Sequence, residues 1–355
     1  MNLPNYEFLS APLWLVTALH LLTLTLHFAA MNFLFGGLII VLHAGLRKRW
    51  DDPTLVKFVR LFPAAMAATV TLGVAPLLFL QMTFPKPVYS AAIVSGWFWL
   101  GVIGAVIITY YALYWCSLRS ERTGRISRSA LLLAVAGLVY VSVVYSSVFA
   151  MAERPGLIHE LYAKNQSGLV FNPATGDYAL RWLHMVLGAV TVGGFFVGML
   201  GRNETVTFQT GKAYFVGGMA LASVAGIAYL MTLQPILAQL MQTPASWVLL
   251  VAILLSLGSL HFFFKKIFCM SGTMLFVSML GMVYVRHIVR LLRLGDQFRP
   301  DSFRIAPQWG PFALFLACFV IALVVVAYML WLFFGAKRAE RGDIMQSVSQ
   351  ETGPR

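Results

Sequence analysis

Nine long apolar runs constrain this chain more than any other feature of its sequence. A helix needs about 20 apolar residues, each rising 1.5 Å, to cross the hydrocarbon core of a bilayer. The runs cover residues 12–45, 57–83, 90–118, 128–151, 178–200, 212–233, 245–264, 267–292 and 311–336. They predict an all-α polytopic membrane bundle of about nine transmembrane helices over residues 1–336, followed by a cytoplasmic polar tail at 337–355. Charged residues make up only 11% of the chain, against about 25% in soluble domains, which excludes a soluble or a disordered protein. Only Lys265 and Lys266 separate the seventh and eighth runs, which predicts a tight turn at a membrane face.

The formal charge of +13 would ordinarily raise the question of nucleic acid. In a polytopic chain the excess is read instead as loop residues retained on the cytoplasmic side, and no nucleic-acid partner is expected. With the N-terminus outside and the C-terminus inside, 17 of the 26 basic residues fall in inner loops or the tail. This orientation suits the cytoplasmic (inner) membrane of a prokaryote, with lipid as the first partner. The segment 286–304 disobeys, because it carries Arg286, Arg290, Arg293, Arg299 and Arg304 at the outer face. That breach predicts anionic groups held there.

All thirteen acidic residues lie in loops or tails, so a proton-coupled transporter or a charge-ringed channel is disfavoured. Histidines, by contrast, lie within or at the ends of the apolar runs: His20, His27, His43, His184, His261 and His287. Neutral imidazole is the usual axial ligand of haem iron. The alternative is an imidazole bonded to a neighbouring carbonyl or resting at the interface. That reading is preferred for His43 and His261, near the inner surface. His20 and His27 are seven residues apart, two helical turns, and so share a face. His20, His184 and His287 are expected in the outer half of the membrane, with His27 deeper. Arg286 and Arg290 flank His287 on one helical face, where guanidinium forks would suit haem propionates. Gly36, Gly37, Gly188, Gly193 and Gly194 would admit either a flat macrocycle or a second helix. The three cysteines form neither CxxC nor CxxCH, so no covalent c-type haem is encoded.

Several of these segments resemble subunit I of the cytochrome bd quinol oxidases. His27-Phe28 with Gly36 beyond it resembles that family's first-helix haem-ligand segment, and Thr71-Leu72-Gly73-Val74-Ala75 leading to Gln81 resembles its LGVA…FQF stretch. Trp182-Leu183-His184, followed by Val186 and Gly193, resembles the fifth-helix segment whose histidine holds the low-spin b haem. Tyr284-Val285-Arg286-His287, then Arg290, stands where the family has a glutamate ligand and the arginine of its GRQPW motif. The departures are as informative. GRQPW itself and the paired glutamates of the third helix are missing. The quinol-binding loop shrinks to residues 234–243, and Ala252 occupies the place of a methionine ligand.

The resemblance implies a cytochrome b-like subunit of a respiratory electron-transfer complex with about two b-type haems, three at most. His27, His184, His287 and His20 are the expected iron ligands, with His20 or His287 opposite His184, and Arg286 and Arg290 the expected propionate anchors. Expected partners are quinone or quinol, a c-type cytochrome or other redox subunit at the outer face, and further membrane subunits. A divergent bd-type terminal oxidase, or a haem-free membrane anchor, is the alternative expectation. A small-molecule transporter fits the hydrophobicity alone.

Overall fold

The computed structural model describes residues 8–318, residues 320–321, 324–325, 327–329 and 331–332, and no side chain at 177. Within lipid every backbone N–H and C=O must be satisfied inside the chain, and the described residues answer with helices. Eight are long and apolar enough to span a membrane. The protein is a multi-pass helical membrane protein. The ninth expected span, 311–336, lies partly outside the described residues; its described beginning is the apolar helix Trp309–Cys318.

The long helices follow the expected runs. They are α1 (Leu13–Leu46), α3 (Phe62–Thr83), α5 (Gly96–Thr123), α6 (Arg128–Ala152), α8 (Thr175–Leu200), α9 (Thr205–Met231), α11 (Ala245–Phe264) and α12 (Phe268–Leu294). Of four short helices, α7 (Pro155–Lys164) and α10 (Gln234–Gln242) occupy connections that the hydropathy pattern left unassigned, while α2 (Pro53–Val59) and α4 (Pro85–Val94) take in the beginnings of the runs expected at 57–83 and 90–118. Each begins with a proline in its first turn, where a missing N–H costs nothing. Asp52 caps α2 by accepting from the amides of Thr54 (3.0 Å) and Leu55 (3.2 Å). The segment expected as a short loop at 234–243 is thus mostly the helix α10. The turn between α11 and α12 is as tight as expected, with Lys266 at a φ of 57° and its Nζ donating to the Arg202 carbonyl at 3.0 Å.

Residues Leu13–Phe303 belong to one compact unit. In it α1 is central and packs against α3, α8, α12 and α6, while α5–α6, α8–α9 and α11–α12 form hairpins. The main core lies where α1, α2, α3, α5 and α6 meet, around Leu34, Leu38, Phe58, Phe62, Leu113 and Leu131. Gly36 of α1 lies directly on the Ala189 carbonyl of α8, and Gly193 of α8 lies on the backbone of Gly36. Gly194 meets the backbone of Tyr214 and Phe215 in α9 in the same way. These glycines, which the sequence left open between macrocycle and helix, bring helices together. Gly37 faces the rings of Phe58 and Phe62, and Gly188 faces open space. A second unit includes Phe8–Pro12 and the described residues from Arg304 onward, where β1 (Phe8–Leu9) pairs in parallel with β2 (Arg304–Ile305).

Candidate haem and anion site

Two histidines in different helix pairs are held in the same way. His27 on α1 has Nδ1 2.9 Å from the Thr69 carbonyl of α3, and its ring lies against Gly73, four residues further along. His184 on α8 has Nδ1 2.7 Å from the Ala222 carbonyl of α9, and its ring lies against Gly226, again four residues further along. A carbonyl can only accept, so Nδ1 carries the proton and Nε2 holds the lone pair in each neutral ring. A metal-binding histidine needs that arrangement, because the second-shell acceptor fixes tautomer and ring orientation together. A Cβ at Gly73 or Gly226 would come 2.9 Å from the imidazole, so at each position only glycine leaves the ring its place.

His20 is the third member of this set. It is buried on α1, with Nδ1 3.0 Å from the carbonyl of Pro76 on α3. His287 on α12 differs, because its Nδ1 is buried without a hydrogen-bond partner. The His20 and His287 rings face each other with centroids 6.5 Å apart. Phe84 lies beside His287 at 6.1 Å, and the Arg290 guanidinium sits 5.4 Å over the Phe84 ring. The two histidines expected to be uninvolved stand apart from this set. His43 is exposed and bonds the Tyr214 hydroxyl, and His261 is exposed near the end of α11.

The arginines of α12 supply the other half of the site. Residues 286, 290 and 293 recur at i, i+4 and i+7, so all three share a helical face. They converge on Glu153, the residue that follows α6. Glu153 is 1% exposed and pairs with Arg286. Arg293 Nη1 stands 3.2 Å from it, Arg181 Nη1 3.6 Å and Arg290 Nε 3.7 Å. Arg181, on α8, also donates to the Ser146 carbonyl at 2.8 Å. One buried carboxylate therefore faces four guanidiniums. Arg286 Nη1 is still buried with no hydrogen-bond partner. An open cleft of about 380 Å³ reaches the cluster, lined by Glu153, Arg154, Leu157, Glu160 and Arg293 among others.

The anion expected at the arginine-rich segment 286–304 is thus supplied in part by the chain itself. Grouping Glu153 with the loop acids missed this, although two signals were present: it follows an apolar run directly, and Arg181 stands inside another. The surplus of positive charge remains and suits further acid groups, because buried charge needs a partner.

Among the described residues no three His, Cys, Asp or Glu side chains converge on one point. A haem iron does not require that, since the macrocycle fills four positions and the protein supplies one or two. Oriented imidazoles with free lone pairs beside surplus guanidiniums fit such a group. The class these features define is a helical membrane protein with buried and half-buried histidines, three of them oriented by carbonyls of a neighbouring helix. No protein-family model, no curated protein and no solved structure matches the chain.

Proposed function

We propose that this chain is a b-type cytochrome subunit of a membrane electron-transfer complex, passing electrons between the quinone pool and a redox partner at the outer face, such as a c-type cytochrome. The repeated cradle carries this reading. His27 on Thr69 and Gly73, and His184 on Ala222 and Gly226, are two half-buried imidazoles whose lone-pair nitrogens are fixed by a neighbouring helix. A haem bound there would supply one-electron chemistry. His27 and His184 would ligate, and the two carbonyls would hold their rings against rotation. Arg286 and Arg290, with Arg181 and Arg293, would receive propionates beside Glu153.

The resemblance to cytochrome bd subunit I agrees with this frame but not with oxygen reduction. The buried acid that the structure adds, Glu153, has its oxygens engaged by arginines and is poorly placed to relay protons.

The purified chain is expected to give a b-type pyridine haemochrome, with about two haems per chain, three at most. A haem-free preparation after expression with ample haem supply would overturn the proposal. His27→Ala and His184→Ala should each remove about one haem, since each deletes a ligand. Gly226→Val should perturb the same haem as His184→Ala, because its side chain would enter the space of the His184 ring. Difference spectra of the three variants check this, and Gly217→Val, where the added carbons meet open space, is the control.

A further inference from the structure

The sequence suggested that either His20 or His287 would stand opposite His184. The structure brings His20 and His287 to each other. They come from α1 and α12, which pack together, and their ring centroids are 6.5 Å apart with planes inclined at 55°.

That spacing lies within the range of ordinary ring neighbours, so it is weighed against two closer relations together with the nitrogens. Two imidazoles sharing one hydrogen bond of about 3 Å, each with a ring radius of about 1.1 Å, would have centres about 5.2 Å apart. Two imidazoles on opposite sides of one metal ion, with metal–nitrogen bonds of about 2 Å, have centres about 6.3 Å apart. The observed distance is too long for the first and leaves room for the second. The nitrogens agree: His20 Nδ1 faces the Pro76 carbonyl and leaves Nε2 with its lone pair, while His287 Nδ1 is buried and unpartnered. An unpartnered buried nitrogen costs free energy unless something binds it. The groups around the pair favour a ligand that brings acid groups with the metal. Arg290 lies over Phe84, the aromatic neighbour of His287, and Arg286 keeps Nη1 without a hydrogen-bond partner.

We propose that His20 and His287 are the two axial ligands of one haem iron, a third haem separate from those of His27 and His184. The proposal rests on the haem reading above and specifies which histidines share an iron. With both positions filled by protein, a haem held there would offer oxygen no open site and would supply electron transfer alone.

The test uses the full-length chain purified in detergent. Wild type is expected to show a low-spin bis-histidine signature by electron paramagnetic resonance and near-infrared magnetic circular dichroism. His20→Ala and His287→Ala should each abolish that one signature and lower haem content by about one per chain, and the double variant should lose no more. Free imidazole should restore the signal in either single variant. His287→Met, which keeps a ligand and the apolar volume, should retain the haem with a histidine–methionine signature and a raised potential, even where the alanine variants fold poorly. His184→Ala should leave the bis-histidine signal in place.

Haem-replete wild type whose signature survives both alanine changes would overturn this pairing and leave the cytochrome reading intact. So would loss of two different haems by the two variants. Wild type without haem would overturn both. Metal analysis separates the sources of the metal: iron equal to haem is expected, and a non-haem metal lost with His20 or His287 would overturn the haem assignment.

Discussion

Glu153→Gln is expected to destabilise the folded bundle by about 3–5 kcal/mol, the usual cost of removing one partner from a buried ion pair. The cost arises because Glu153 is the carboxylate on which Arg181, Arg286, Arg290 and Arg293 converge, and all five side chains are largely buried. Glutamine keeps the volume and a hydrogen-bond acceptor but removes the charge, so four guanidiniums repel one another with nothing between them. The helices held together there are α12, α8 and the end of α6, so loss should appear as separation of α12 from the rest. Denaturant unfolding of the detergent-solubilised protein would measure it, with Glu153→Asp as the charge-retaining control. Pairing Glu153→Gln with Arg293→Met should recover part of the loss, because it removes one of the orphaned charges. A change in stability below about 1 kcal/mol for Glu153→Gln would mean that solvent or other groups already screen the cluster.

Gly36→Leu is expected to be the second most damaging change. A side chain at residue 36 would occupy the position of the Ala189 carbonyl, which belongs to the backbone of α8 and cannot swing away. Overfilling a packed site costs about 1–3 kcal/mol even where side chains can adjust, and here the helices themselves must part. Close approach through small residues is also what holds helices together in lipid, where hydrophobic burial offers little drive. Gly193→Leu should match it, because residue 193 meets the backbone of Gly36 from the other side. Gly188→Leu lies on the same helix as Gly193 and faces open space, so it should be close to neutral. Thermal unfolding followed by circular dichroism separates these outcomes, and equal melting of Gly36→Leu and Gly188→Leu would refute the close packing of α1 on α8.

Single residues show how the site divides between sequence and structure. The arginine stripe of α12 was legible, since spacing of four and three residues on a helix fixes a common face whatever the helix packs against. The carboxylate that meets it was signalled only weakly, by its place after an apolar run and by Arg181 inside another, because Glu153 looks the same in the chain as any acid after such a run. Its burial depends on α8 and α12 arriving beside it. The histidines were visible as polar residues in apolar runs, but which of them share a partner was not. The glycines singled out as neighbours of the histidines proved to serve helix packing in four of five cases, while the two that touch the imidazoles were not among them: Gly73 stood out only within the LGVA-like stretch, and Gly226 not at all.

By itself the sequence determined that the chain crosses a membrane many times as helices, and roughly where the long helices begin and end. Length and hydropathy are local properties, and lipid admits few ways to satisfy a backbone. Only the tertiary structure decided that His20 faces His287, that Thr69 and Ala222 orient His27 and His184, and that four arginines close on Glu153. Those meetings join residues far apart in the chain, and the register and rotation of packed helices set them. Hydropathy does not encode either quantity, because lipid-facing and helix-facing residues in such a bundle are equally apolar.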